Sequence, residues 1–358
     1  MKKFIALFMA AMMLVGLTGC GNTADTAASA ATDEAAAATE AATQTETEAQ
    51  TDTAKAEGEK PSTITISALN GERAATEVEV PYDPQRIAVL DMPALDILDS
   101  LGLGDRIVGS AAVSIEYLTD YNPDASGGRI MNLGTVKTAD LEKVAACEPD
   151  IIFIGGRLSS VYNDLSAIAP VVYLSVDYEK GVVQSTADNA KTVASIFGKE
   201  GEVDAMLEGF QERIDALKTV LEGKDVLLSM YNSNALGLMD TESQLNIIAK
   251  ELGANNLGET VGETEKATHG EEASWETIIT LNPEYLFVLD RSTATGAAGE
   301  DVLGAQEVSD NDLIKELDMY KDGKIIYFID HANVWYTSTG GIQALDTMLA
   351  DLEGALLP

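Results

Sequence analysis

The sequence predicts an α/β protein of two αβα lobes with mostly parallel sheets, joined by a single long backbone helix. Three observations carry this. Short apolar runs alternate with helical patterns over about 62–180 and again over 225–357, the βα grammar of a parallel sheet. A sixteen-residue stretch occurs twice, as Glu142–Arg157 and Glu276–Arg291, offset by 134 residues, with Glu, Pro, Phe and Arg coinciding without a gap. Each copy reads as a helix end, a Pro stop (Pro149, Pro283), and a buried strand that ends in an arginine. Between the two βα regions, Glu200–Leu221 carries Val203, Met206/Leu207, Phe210, Ile214, Leu217 and Leu221 at helical spacing.

Before the folded region, Met1-Lys2-Lys3 and the apolar run Phe4–Leu17 lead into Leu17-Thr18-Gly19-Cys20. This is the pattern of a bacterial lipoprotein signal over residues 1–20, with Cys20 acylated after cleavage and tethering the protein to the extracytoplasmic face of the cell membrane. An ordinary secretory signal is the alternative. No later run has the length of a transmembrane helix. Residues 21–60 hold Ala, Thr, Gln and nine acids against Lys55 and Lys60, with no aromatic or large aliphatic residue. Such a segment cannot offset its ordering entropy and is expected to be a disordered tether, averaging roughly 35 Å end to end.

In the first lobe, 61–185, Thr63–Ser67 alternates as an edge strand and Arg86–Leu90 is a short apolar strand. Pro93–Leu101 is a helix with Leu95, Leu98 and Leu101 on one face and Gly102 as its stop. Arg106–Gly109 is a strand, Ile115–Ile130 an irregular loop, Val161–Ala169 a helix and Val171–Leu174 a strand. Connecting helices occupy 186–223: Thr186–Phe197, then the long helix 200–221, with Gly223 as stop. The second lobe, 224–358, runs Asp225–Tyr231 (strand), Thr241–Leu252 (helix), a loop to Gly270 and Ser274–Thr280 (helix). Tyr285–Leu289 (strand), Asp312–Leu317 (helix), Lys324–Ile329 (strand) and Ile342–Leu357 (helix) complete it.

Composition narrows the function. Of 59 acids and 23 Lys/Arg, only nine acids and four lysines precede residue 61, so the folded part is strongly acidic and the formal net charge is −36. Nucleic acid and anionic lipid are therefore unfavoured partners. Cys147, the cysteine other than Cys20, reads as a core residue. Nucleophile-elbow, Walker and His-Glu-x-x-His motifs are absent, and two histidines make a transition-metal site of protein ligands improbable. The chain is expected not to be an enzyme.

Ligands of open α/β sheets bind beyond the carboxyl ends of strands. Arg157 and Arg291 both stand just past such ends, one per lobe, and together suit an anionic ligand because guanidinium stays charged, forks to oxygens and stacks on rings. Pairing with a local acid such as Asp290 is the alternative. His269, before the second repeat helix, and the segment His331–Gly341 belong near the same cleft. There Trp335 and Tyr336 would present aromatic faces, with Gly340-Gly341 allowing close approach. Core packing is an equal reading for Trp335, and a structural role an equal one for each histidine.

Leu17–Cys20, Asn132–Glu142, Glu148–Phe153, the long helix, His269-Gly270, Asn282–Arg291 and Val334–Tyr336 together resemble the iron–siderophore-binding lipoproteins of ABC importers, in the branch that binds ferric catecholates such as enterobactin or petrobactin. The resemblance spans the folded part. It implies a class III periplasmic-binding-protein fold, with Arg157, Arg291, His269, Tyr336 and Trp335 about a ferric siderophore in an inter-lobe cleft. The protein would supply no metal ligand of its own, iron arriving inside the siderophore. It also implies that Glu142 and Glu276, one per lobe, dock on a two-fold symmetric ABC permease dimer, and that the protein works as a monomer. One departure stands out. Relatives often carry a further arginine after the first strand of the second lobe, where this chain reads Tyr231-Asn-Ser-Asn-Ala-Leu-Gly237. That favours a less charged siderophore, haem or cobalamin as alternative ligands. Two rival classes are a tethered hydrolase, with His269 and His331 as its candidate bases, and a surface-interaction protein with no small ligand.

Overall fold

In the first half of the chain, strand after strand enters one parallel sheet because each is apolar on both faces and must be covered on both. The computed structural model describes residues 61–261, 271–272, 275–296, 304–306 and 311–358. The proposed signal with Cys20, the tether and His269 lie outside the described residues. The chain opens with a hairpin of β1 (Thr63–Leu69) and β2 (Ala75–Pro81), so the expected edge strand has a partner that the sequence reading missed. Then come β3 (Ile87–Leu90), β4 (Ile107–Ser110), β5 (Met131–Asn132), a small ribbon of β6 (Gly134–Thr135) and β7 (Thr138–Ala139), β8 (Ile151–Ile154) and β9 (Val171–Tyr173). The five-stranded sheet has the order β5-β4-β3-β8-β9 and every pairing in it is parallel.

The second half supplies β10 (Asp225–Asn232), β11 (Ala235–Leu238), β12 (Asn255–Asn256), β13 (Glu271–Glu272), β14 (Tyr285–Asp290) and β15 (Ile325–Phe328). Here β10, β14 and β15 run parallel, as does β12 beside β10, while β11 and β13 extend the sheet antiparallel. This sheet is mixed because β10 turns back directly into β11 through Ser233-Asn234, both at positive φ (51° and 67°), the conformation of a tight two-residue hairpin turn.

Alternation along each central strand explains the layering. Ile87, Val89, Ile151 and Phe153 share one hydrophobic core with Val226, Leu228, Phe287 and Leu289 from the second sheet. Their neighbours Ala88, Leu90, Ile152 and Ile154 face a separate core on the far side of the first sheet, and Leu227, Leu286 and Val288 another beyond the second. Cys147 is buried in the second of these cores, its thiol pushed up by burial.

The shared core is filled by the connecting helices and the last helix, Ile342–Leu356. The single helix expected over Glu200–Leu221 is instead two, Glu200–Met206 and Phe210–Leu221, following Val182–Ile196. Gly209 at φ 88° ends the α-helical path between them, a conformation that glycine adopts without a Cβ penalty. The apolar spacing survives the break, since Val203, Phe210, Ile214, Leu217 and Leu221 are all buried. The helix expected over Thr241–Leu252 is confined to Asn246–Lys250, and Asp312–Leu317 holds only a 3₁₀ turn, Ile314–Glu316, before a short helix Asp318–Lys321.

The last helix returns to the first half of the chain and is pinned there. Asp96, on the helix Met92–Ser100, is fully buried and accepts from the Gln343 and Ala344 amides (both 2.9 Å) and from the Tyr117 hydroxyl (2.8 Å). Burial raises its carboxyl to about 6 despite these donors. A Cβ on Gly341 would stand 2.5 Å from that carboxylate, so the glycine expected to admit a ligand here admits Asp96 instead. On the other side, Arg213 forks to Glu353 (2.7 and 2.9 Å) and reaches Asp346 (2.5 Å).

Candidate functional site

The repeat places its two arginines as equivalent points of the two sheets. β8 ends at Ile154, and Arg157 follows in the 3₁₀ turn Gly156–Val161. β14 ends at Asp290, and Arg291 opens the short helix Arg291–Ala294. Asp290 is buried and accepts from the Thr293 amide (3.0 Å) as the cap of that helix, so it does not pair with its neighbour Arg291. Among the described residues neither arginine forms an ion pair.

Both guanidiniums meet at one atom. Arg291 donates from Nε to the Tyr336 hydroxyl at 2.9 Å, and Arg157 donates from Nη2 to the same oxygen at 3.4 Å. The Arg291 guanidinium also lies over the Tyr336 ring, 5.4 Å from its centroid. Arg291 is steadied from its other side by Asn232, whose Oδ1 accepts from Nη1 at 2.6 Å. Asn232 ends β10 beside the Ser233-Asn234 turn, and that turn is tied to the start of the arginine's helix by the Ser233 amide donating to Ser292 Oγ (3.1 Å). A guanidinium has five donors. Arg291 has three left after these two bonds, and Arg157, which is exposed, has four. Two cations thus converge on a neutral hydroxyl with most of their donors unspent, the electrostatic profile of a site for an anion.

The remaining sequence candidates separate. Tyr336 is at the site, though nine-tenths buried. Trp335 is not at the rim: it is fully buried, stacked on Phe328 at 4.1 Å, with its indole N–H donated to Asp351 (2.8 Å). Consecutive residues of the helix Ala332–Thr337 point about 100° apart, so Tyr336 at the cleft sends Trp335 into the core. His331 bonds the other Asp351 oxygen at 2.8 Å, a contact that ties this helix to the last one. Glu142 and Glu276 are exposed, each in the first turn of its repeat helix, Leu141–Ala146 and Trp275–Leu281.

Two residues at the site escaped the sequence reading. Asn232 occupies the stretch where a further arginine was missed; its signal was the polar Asn-Ser-Asn turn between apolar runs. Asp91 follows β3 directly and caps the helix Met92–Ser100 by accepting from the Ala94 amide at 3.1 Å. It lines a pocket of about 160 Å³ together with Gly156, Tyr178, Asn189, Thr337 and Thr339. Gly156 precedes Arg157 and Thr337 follows Tyr336, so the pocket adjoins the arginine pair. Burial pushes the Asp91 carboxyl up to about 6, opposed by the Ala94 amide. Among the described residues no cluster of His, Cys, Asp or Glu is arranged to hold a metal ion.

A family model described as periplasmic binding protein matches residues 87–331. The chain is 30% identical over 359 residues to the petrobactin-binding protein YclQ of Bacillus subtilis, covering 99% of each. It is 26% identical to the ferric-anguibactin-binding protein FatB of Vibrio anguillarum, over 75% of this chain and 81% of that one. The crystal structure of YclQ superposes with a TM-score of 0.71, covering 82% of this chain and 99% of that one. The periplasmic catecholate-siderophore binding protein VctP of Vibrio cholerae superposes at 0.69 with 26% identity, over 81% and 100%.

Proposed function

The chain belongs to the periplasmic binding protein family, and from that premise we propose that it captures a ferric siderophore between its two sheets and delivers it to an ABC importer. The observation that carries this reading is the convergence of Arg157 and Arg291 on the Tyr336 hydroxyl, with seven guanidinium donors unspent and no carboxylate paired to either cation among the described residues. An anionic ferric chelate supplies what such a site lacks: clustered oxygen acceptors and negative charge. The iron is cargo, held by the siderophore's own oxygens, and the protein contributes shape, charge and hydrogen bonds. Three named relatives bind siderophores, which supports this ligand class over haem or cobalamin.

The delivery side rests on sequence logic. In this reading residues 61–185 and 224–358 are the two lobes, and 186–223 joins them. Glu142 and Glu276, exposed at matched places in the repeat, are the contacts by which a monomer docks on a permease dimer. Cys20 anchors the mature protein to the extracytoplasmic face of the membrane, with 21–60 as its tether. The test is a thermal-shift and fluorescence-quenching titration of purified protein with ferric catecholate, ferric hydroxamate, haem and cobalamin. A tight ligand raises apparent stability by mass action. A shift with a ferric siderophore and none with haem or cobalamin is the expected result, and the reverse would overturn the assignment.

A further inference from the structure

The pocket beside the arginine pair has the opposite chemistry to the pair itself. It contains no Lys or Arg, and its one formal charge is the Asp91 carboxylate. Three other polar side chains of its wall, those of Thr337, Thr339 and Asn189, each direct a donor into the protein. Thr337 Oγ1 donates to the Asn333 carbonyl and Thr339 Oγ1 to the Trp335 carbonyl, each at 2.6 Å, while Asn189 Nδ2 donates to the Ser175 carbonyl at 3.0 Å. For a visitor these groups keep acceptors, the hydroxyl lone pairs and the Asn189 amide oxygen, beside the second Asn189 N–H and the Tyr178 hydroxyl. Asp91 fits the same pattern. Its Oδ2 takes the Ala94 amide, and its Oδ1, packed where a Cβ on Gly155 would collide with it, accepts no hydrogen bond from the described residues. Among the described residues this carboxylate forms no ion pair, Arg73 at the same wall being bonded to the Gly156 carbonyl (3.0 Å), and burial raises it. A helix cap asks only for an acceptor, which Ser or Asn provides without charge. An uncompensated carboxylate there costs stability that the cap does not require.

We propose that this pocket is a subsite for a protonated-amine arm of the ligand, with Asp91 as the arm's anionic partner. The inference rests on the siderophore reading and deepens it. The cleft is then bipolar: Arg157 and Arg291 take the anionic chelate, and the adjoining acceptor-lined pocket takes an ammonium on a short alkyl segment. A volume of about 160 Å³ is sufficient for such a segment, being similar to the ~150 Å³ cavities that admit benzene. The preferred ligand class is therefore a zwitterionic siderophore, an anionic iron-chelating head with an aminoalkyl arm. Its positive arm also lowers the net charge that the cleft must neutralise, which suits a site with Asn232 where a further arginine was missed.

The test uses two synthetic ferric catecholate complexes that differ in one arm, which ends in a primary ammonium or in a hydroxyl at the same length. Wild-type protein is expected to bind the ammonium probe about tenfold more tightly, the scale of one charge-assisted hydrogen bond net of desolvation. In Asp91→Asn, which keeps an acceptor for the Ala94 amide, the ratio should fall to about one. Equal affinities of wild-type protein for the two probes, a comparison that needs no variant to fold, would overturn the subsite while leaving the siderophore assignment standing. A ratio near ten that persists in Asp91→Asn would remove Asp91 from it. If neither probe binds wild-type protein, the siderophore reading fails and the subsite fails with it.

Discussion

Replacing Arg291 with alanine removes the group on which three parts of the site depend. Its Nε and Nη1 hold Tyr336 and Asn232, and its three remaining N–H donors are those offered to the ligand. One charge-assisted hydrogen bond contributes roughly 1.5–3 kcal/mol, and each ~1.4 kcal/mol is tenfold in affinity. Arg291→Ala should therefore weaken a ferric catecholate by about ten- to a hundredfold, and Arg157→Ala, with four donors free but only one 3.4 Å tether to place them, by a similar or smaller factor. Arg291→Lys should recover only part, since a point ammonium cannot hold Tyr336 and Asn232 while presenting a fork. The double alanine variant should depart from additivity because both guanidiniums share Tyr336 and one ligand. Fluorescence quenching over a range of ferric complex concentrations gives all four constants. The ligand-free melting temperature should move little, because Arg157 is exposed and neither cation belongs to a core. Variants that melt several degrees lower yet bind normally would show the arginines to be structural, and the cleft reasoning would fall.

Asn232→Ala should cost about three- to tenfold in affinity by freeing Arg291, and Asn232→Asp should not restore it, since an ion pair would hold the arginine at the expense of its positive charge; unchanged binding in both variants would remove Asn232 from the site. Glu142→Ala and Glu276→Ala should each leave siderophore binding intact and reduce uptake in cells, as surface charges that register a partner do; a loss of ligand affinity in either would count against docking. Asp91→Asn should stabilise the ligand-free protein by roughly 1–3 kcal/mol at pH 7.5, because a carboxyl raised from 3.8 to about 6 makes the fold lose stability as pH rises through that window. Denaturant titrations should show the gain shrinking as pH falls through 6 toward 4, and a gain independent of pH would refute the assignment. Cys20→Ala should release the protein from membranes or leave its signal uncleaved; a membrane-bound, processed variant in detergent partitioning would sink the lipid anchor.

The sequence by itself determined the features that depend on neighbours along the chain. A strand covered on both faces must be apolar throughout, so Ile87–Leu90, Ile151–Ile154 and Tyr285–Leu289 were legible as strands, and the repeat placed an arginine just past two of them. Tertiary structure decided what depends on where chain segments meet. Apolar spacing continues through Glu200–Leu221, yet the path breaks because Gly209 takes a left-handed conformation, which the apolar spacing does not register. Asp96, 247 residues from Gln343, filled the glycine approach that had been read as open to a ligand. Trp335 and Tyr336 are adjacent in sequence and differ in fate because one helical step turns a side chain from the core to the cleft. The meeting of Arg157 and Arg291 at a single hydroxyl, and the lack of an ion pair at Asp91 among the described residues, have no local signature. Electrostatics is fixed by distance through space, and that distance exists only once both sheets have packed on their shared core.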